Sequence, residues 1–226
     1  VSWVLLFRKF FRQTVKSHYD EYWDGNIHGE SQSAPPTWSP ENMKWHQNFF
    51  QPYCGSCVLD MGAGDGTFID MMQRGVPKIE KAEALELSSV AIQKGKEKFP
   101  AVLFKQGSCD ALPYADASFD TVFAIEVVEH LLDVDCCLAE VNRVLKPGGF
   151  FGVTTTDFNL LKKWIIATFF WNKFFYPNNP HIRFFTRKTL AHIAQRHGLY
   201  QVAYKWNHSY FGLMPHGQMA VFCKKE

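Results

Sequence analysis

From Ser56 onward, apolar runs alternate with segments of helical spacing. "CVLDM" reads as an apolar strand that ends at Gly62, and "TFIDMMQRG" as a helix stopped by Gly75. "KAEALELS" predicts a second strand, and "SVAIQKGKEKF" a helix capped by Ser88 or Ser89 and closed by Pro100. "AVLFKQG" and "FDTVFAIEV" are the third and fourth strands. "DVDCCLAEVNRVLKPGG" is a helix ending at its Pro-Gly-Gly, and "FFGVTTT" the fifth strand. After an interruption at 157–185, "TRKTLAHIAQRHGL" predicts a helix with Thr186 at its N-cap. "YQVAYKW" and "QMAVFCKK" then pair as antiparallel final strands. Strands that alternate with helices imply an α/β protein: a doubly wound, mostly parallel seven-stranded sheet with an antiparallel last strand.

Before Ser56 the pattern is irregular. "SQSAPPTWSP" (31–40) is a loop by its Ser and Pro content, and "ENMKWHQNFF" after it has helical spacing, with Pro40 as a start signal. Residues 1–52 are expected to be a helical arm, and 53–226 one domain with an aromatic insert at about 157–185. The first stretch, "VSWVLLFRKFFRQTVK", places its apolar residues ahead of its basic ones. That is the reverse of a signal peptide, and an amphipathic helix is expected. No apolar run reaches the length of a membrane span.

Composition narrows the classes. At 226 residues the chain can bury one sizeable core, and 46% of it is apolar. The net charge of +2 provides no field that would attract nucleic acid. The "CGSC" at 54–57 lacks the second ligand pair of a zinc site, and is read as two buried or half-buried thiols.

"LDMGAGDGTF" lies at the first strand-to-helix turn, where a doubly wound sheet binds its ligand. Gly62, Gly64 and Gly66 would let backbone approach that ligand. The pattern is GxGxG, with Thr67 in the place of the dinucleotide fingerprint's third glycine, which disfavours a dinucleotide oxidoreductase. Glu86 follows 20 residues after Gly66, where a strand-end carboxylate meets a ribose.

The series "VLDMGAGDGTF", "LELS", "GSCDALPYADASFDTV", "EVVEHL" and "AEVNRVLKPGGFF" resembles the class I (seven-strand) S-adenosylmethionine-dependent methyltransferases, in particular the ubiquinone/menaquinone-type and related small-molecule enzymes. The resemblance implies S-adenosylmethionine as methyl donor and S-adenosylhomocysteine as product. Asp60, Gly62, Ala63 and Gly64 would surround the methionine part. Glu86 would hold the ribose hydroxyls, with Leu87 beside the adenine. The family's usual "GDA" is "GSC" here, so either Ser108 or Asp110, around Cys109, would take the adenine amino contact. Backbone near Ala124 and Ile125 would line the methionine. An N-terminal aromatic would close over the cofactor, with Tyr19, Tyr22 and Trp23 as candidates; ordinary packing of the arm is the competing account. The acceptor is expected to be a small molecule, and nucleic acid is not expected.

"EVVEHL" sets Glu126, Glu129 and His130 in an apolar run, which needs compensation. Three accounts compete. Glu129 supports the turn and His130 is a satisfied core histidine. Alternatively, His130 is a general base with a suitable intrinsic pKa. Or Glu126, Glu129 and His130 bind a divalent metal with His181 as a further ligand, a set similar to that of small-RNA 3′-end methyltransferases and, in part, ubiquinone O-methyltransferases.

From Phe158 to Tyr176 there are eight aromatics, three lysines and no acid. The segment either packs on the core or, with the basic and aromatic residues 3–16, lies in a membrane interface. The second account implies an apolar or lipid-linked acceptor, and a cytoplasmic protein peripheral to a membrane. A soluble sugar or metabolite as acceptor, and a non-catalytic cofactor-binding partner subunit, are the alternatives.

Overall fold

The computed structural model describes residues 3–25, 40–175, 181–210 and 214–225. The loop expected at 31–39 and the part of the insert at 176–180 lie outside the described residues. Contacts divide the chain into two compact units, Val1–Pro113 and Tyr114–Glu226.

The first unit holds helices α1 (Trp3–Asp24) and α2 (Pro40–Phe50), followed by β1 (Cys57–Met61), α3 (Thr67–Gly75), β2 (Lys81–Glu86), α4 (Ser89–Lys98) and β3 (Leu103–Gln106). The three strands are parallel, with Cys57 beside Lys81 and Glu83 beside Leu103. Val58, Leu59, Met61 and Leu85 are fully buried, as strands covered on both faces require. Ser88 caps α4 by accepting from Ala91 N at 3.2 Å, an interaction worth about 1 kcal/mol.

The second unit holds β4 (Phe119–Ile125), α5 (Val134–Val144), β5 (Leu145–Thr156), α6 (Leu160–Phe169), α7 (Trp171–Phe174), α8 (Arg187–Arg196), β6 (Leu199–Tyr210) and β7 (Met214–Lys224). β4 and β5 are parallel, while β7 is antiparallel to both β5 and β6. Thr186 and Thr189 form a reciprocal capping box at the start of α8. Among the described residues the strand order is β3-β2-β1-β4-β5-β7-β6, the expected seven-stranded sheet with one strand reversed.

Strands β6 and β7 extend toward each other beyond the expected "YQVAYKW" and "QMAVFCKK", and two further boundaries differ from the sequence reading. Helix α5 stops at Val144, and "LKPGG" opens β5 instead of closing the helix. Leu145 is already extended (φ −71°, ψ 136°), and Pro147 bars Lys146 from helical geometry. Strand β4 ends at Ile125, because Glu126 adopts a positive φ of 54°, which no strand residue can hold.

Candidate functional site

The first unit gathers most of the expected cofactor residues at the carboxyl ends of β1 and β2. Gly62 N and Ala63 N both donate to Leu85 O, at 2.7 and 3.0 Å, so the glycine loop is fastened to the end of β2. Glu86, 7% exposed, accepts from Gly64 N at 2.9 Å through Oε2, and from Leu87 N and Ser88 N at 2.7 and 2.9 Å through Oε1. Burial raises its carboxyl above the ordinary range, and these three N–H groups pull it back part of the way.

Asp60 is 1% exposed, and its Oδ1 has no hydrogen-bond partner. Burial, and then the charge of Glu86, hold it well above the usual carboxylate value. The thiol of Cys109 is likewise pushed up by burial and by the nearby charges of Glu86, Asp110 and Asp60. Ser108 Oγ donates to Asp110 Oδ1, so these two hydroxyl and carboxyl groups face each other. Ser108, Cys109 and Asp110 therefore stay grouped, with Cys109 buried next to the two acids.

The arm brings its own chemistry. Asp20 Oδ1 accepts from Ser88 Oγ at 2.7 Å and Val90 N at 3.4 Å, and Lys16 pairs with the same carboxylate. Its pKa is lowered to about 2: burial acts upward, but the hydrogen bonds from Lys16, Ser88 and Val90 outweigh it. Lys94 Nζ donates to Trp23 O. The Trp23 indole lies against Gly64, whose φ is +55°; a Cβ there would sit 2.7 Å from Trp23 Cζ2. Of the three candidate aromatics it is Trp23 that meets the loop, while the Tyr19 ring packs edge-on against His18. Sequence reasoning missed Asp20. Its signal was an acid one helical turn before Trp23, which has meaning only once α1 is seen on α4.

Do these residues suit a sulfonium cofactor? An unpartnered buried carboxylate beside a second buried carboxylate calls for a cation and for hydrogen-bond donors. S-Adenosylmethionine carries an ammonium group, a sulfonium and a ribose diol, so the donor set fits.

In the second unit, Ile125 is buried at the end of β4, opposite Thr154. Glu129 is fully buried in a single 3-10 turn, 128–130, and accepts from Thr155 Oγ1 at 2.9 Å. Its carboxyl is held well above the ordinary value by burial and then by the charge of Glu126, itself raised by burial. The backbone carbonyl of Glu129 accepts from Ile182 N and Arg183 N at 3.0 and 3.1 Å, and Arg183 Nε donates to Leu131 O at 2.7 Å. These bonds bring His181 to the turn. Ligand atoms of Glu129, His130 and His181 lie within 4.8 Å of one another; Glu126 is not part of that group.

Comparison with known proteins agrees with this geometry. Residues 59–153 match the family model described as a methyltransferase domain. A ubiquinone biosynthesis O-methyltransferase of Mesorhizobium japonicum is 31% identical over 108 residues, covering 47% of this chain and 43% of that protein. The chain spans less than half the length of the curated relatives it matches. A putative methyltransferase from Bacillus halodurans shares the fold at a TM-score of 0.65 and 12% identity, covering 80% of this chain and 99% of that one. The cyclase SpnF shares it at 0.69 and 15% identity, covering 95% and 96%, so the fold alone does not fix the reaction. The family match over residues 59–153, the seven-strand order and the glycine loop with Glu86 support a class I S-adenosylmethionine-dependent methyltransferase domain.

Proposed function

We propose that the protein transfers a methyl group from S-adenosylmethionine to a small-molecule acceptor that is apolar or lipid-linked. The bound cofactor supplies an electrophilic methyl on a sulfonium. Glu86 holds the ribose hydroxyls, with Leu87 beside the adenine and Ser108 or Asp110 on its amino group. Asp60 and the backbone of Gly62, Ala63 and Gly64 take the methionine end. Trp23, carried by α1 and one of the three aromatics considered for this role, covers the loop. His130 accepts the proton released by the acceptor, and Glu129 holds the turn that carries it. Orientation of donor and acceptor supplies most of the rate.

The observation that carries the apolar acceptor is the surface of α6 and α7. Leu160 is 85% exposed, Trp164 61% and Phe169 66%, with Phe170 and Trp171 exposed beside them. Lys162 and Lys163 belong to the same segment, which has no acid. Trp and Phe with Lys is the makeup of a helix lying in an anionic lipid interface. No helix among the described residues is long and apolar enough to cross a membrane.

The test is transfer of a labelled methyl group from S-adenosylmethionine into a source-cell extract, followed by partition between solvents. Label in the organic phase supports a lipid-linked acceptor. Label in water points to a soluble metabolite, and no label despite cofactor binding points to a non-catalytic subunit. The grouping of Glu129, His130 and His181 favours a second reading, metal-assisted O-methylation. Under it, a chelator stops turnover and a divalent metal restores it; unchanged turnover in chelator removes it.

A further inference from the structure

Where β5 leaves the sheet, the second unit buries polar atoms that no residue satisfies. Asp157 is 2% exposed and Gln218 fully buried. Asp157 Oδ2, Gln218 Oε1 and Thr156 Oγ1 lack hydrogen-bond partners, as does the Tyr204 hydroxyl. Strand pairing draws Asp157, Gln218 and Tyr204 together, while Thr156, next to Thr155, faces the other side of the sheet. Gln218 stands opposite Thr155 on β5 and Trp206 on β6. Its Nε2 donates to Thr156 O at 3.2 Å and to Phe185 O at 3.1 Å, and Phe185 is bridged to Asp157. Tyr204 lies two residues from Trp206 and so on the same face of β6. Burial and the Asp157 charge raise its phenol to about 12. Lys162 is close enough to feel the charges of Asp157 and Glu126.

The amide of Gln218 has only one sensible orientation. Both of its neighbours are carbonyl oxygens, so the nitrogen faces them and Oε1 is left bare. Asp157 Oδ2 is a second bare acceptor. Tyr204, beside the Trp206 indole, adds a hydroxyl that can donate or accept. Buried acceptors without donors are rare in folded proteins; either internal water or a ligand rich in O–H supplies what is missing.

We propose that Asp157, Gln218 and Tyr204 bind adjacent hydroxyl groups on the methyl acceptor. The ligand chemistry is a vicinal diol, carried by a saccharide or by a dihydric phenol. The inference rests on the methyl-transfer reading and deepens it: the acceptor has a hydroxylated head and an apolar tail, the tail meeting the aromatic surface of α6 and α7.

The test uses the full chain with S-adenosylhomocysteine bound. Ligand-observed NMR compares catechol with phenol, and methyl α-glucopyranoside with its 2,3-di-O-methyl ether. One diol should bind about tenfold tighter than its capped or single-hydroxyl match. Catechol winning identifies a phenolic head; the glucoside winning identifies a saccharide. Asp157→Asn and Tyr204→Phe should each weaken that diol about fivefold or more. Calorimetry on the same samples should give an unchanged S-adenosylhomocysteine affinity, which also shows that the variants fold. If neither diol outbinds its match, or both variants keep the preference, the proposal is overturned and the atoms are met by water. Failure of the unaltered protein to bind S-adenosylhomocysteine would instead remove the methyl-transfer reading on which it rests.

Discussion

The indole of Trp23 rests on Gly64, and a side chain on that glycine would overlap the ring, with Cβ 2.7 Å from Cζ2. One residue thus serves both the cofactor loop and the arm that covers it.

Gly64→Ala should therefore do two things. The φ of +55° costs an L-residue about 1 kcal/mol, and the new methyl displaces Trp23. Amide exchange in residues 13–24 should accelerate, and S-adenosylhomocysteine affinity should fall. Unchanged exchange in the arm would show that Trp23 does not depend on the glycine.

The arm should also respond to acid. Asp20 is depressed to about 2, so its contribution to docking is complete above the ordinary carboxylate value of 3.8 and is lost as pH falls from there toward 2. Amide exchange of α1 and the start of α4, measured across that window, should show the arm loosening before the sheet. Asp20→Asn should show the loosened state at neutral pH, with Ser88, Ser89 and Val90 losing their charged acceptor.

Glu86→Gln preserves shape but not chemistry. Three backbone N–H groups point at the carboxylate, and an amide must turn its own N–H₂ toward at least one of them. Hydrogen bonds to charged groups are worth about 1.5–3 kcal/mol, so cofactor affinity should drop by about tenfold or more. Equal affinity by calorimetry would move the ribose contact elsewhere.

Glu129 carries a pH signature of opposite sign. Its pKa is raised in the folded chain, so stability is full below the ordinary value of 4.5 and declines as pH rises through the folded value. Glu129→Gln removes that decline and should flatten the curve of melting temperature against pH above 4.5. A divalent metal held by Glu129, His130 and His181 would raise the melting temperature of the unaltered protein and not of this variant.

Exposed α6 and α7 should bind vesicles with anionic lipid at low salt, and release them at high salt. Trp164→Glu together with Phe169→Glu should abolish pelleting without lowering cofactor affinity. Retained pelleting would assign membrane contact to another part of the chain.

Sequence alone was enough for the repeating strand–helix order and the glycine loop with Glu86, because each is written in contiguous residues. Burial on both faces makes β1 and β4 mostly apolar runs, broken by Asp60 in one and by Asp120 and Thr121 in the other. A tight strand-to-helix turn has to use Gly62, Gly64 and Gly66, whose φ values are all positive. The cap Thr186 was equally legible, and Ser88 was one of two adjacent candidates, since an N-cap reads only the next turn of its own helix.

Tertiary structure decided what depends on residues far apart in the chain. His181 joins Glu129 and His130 through backbone bonds from residues 182 and 183 to the 129 carbonyl and through its ring contact with His130. Asp20 finds its role 68 residues away, at Ser88. Asp157, Tyr204 and Gln218 converge through the pairing of β5, β6 and β7, whose register no local pattern encodes. Local propensity fixes which segments are strands; which polar atoms those strands leave buried and bare is settled only when the sheet is assembled.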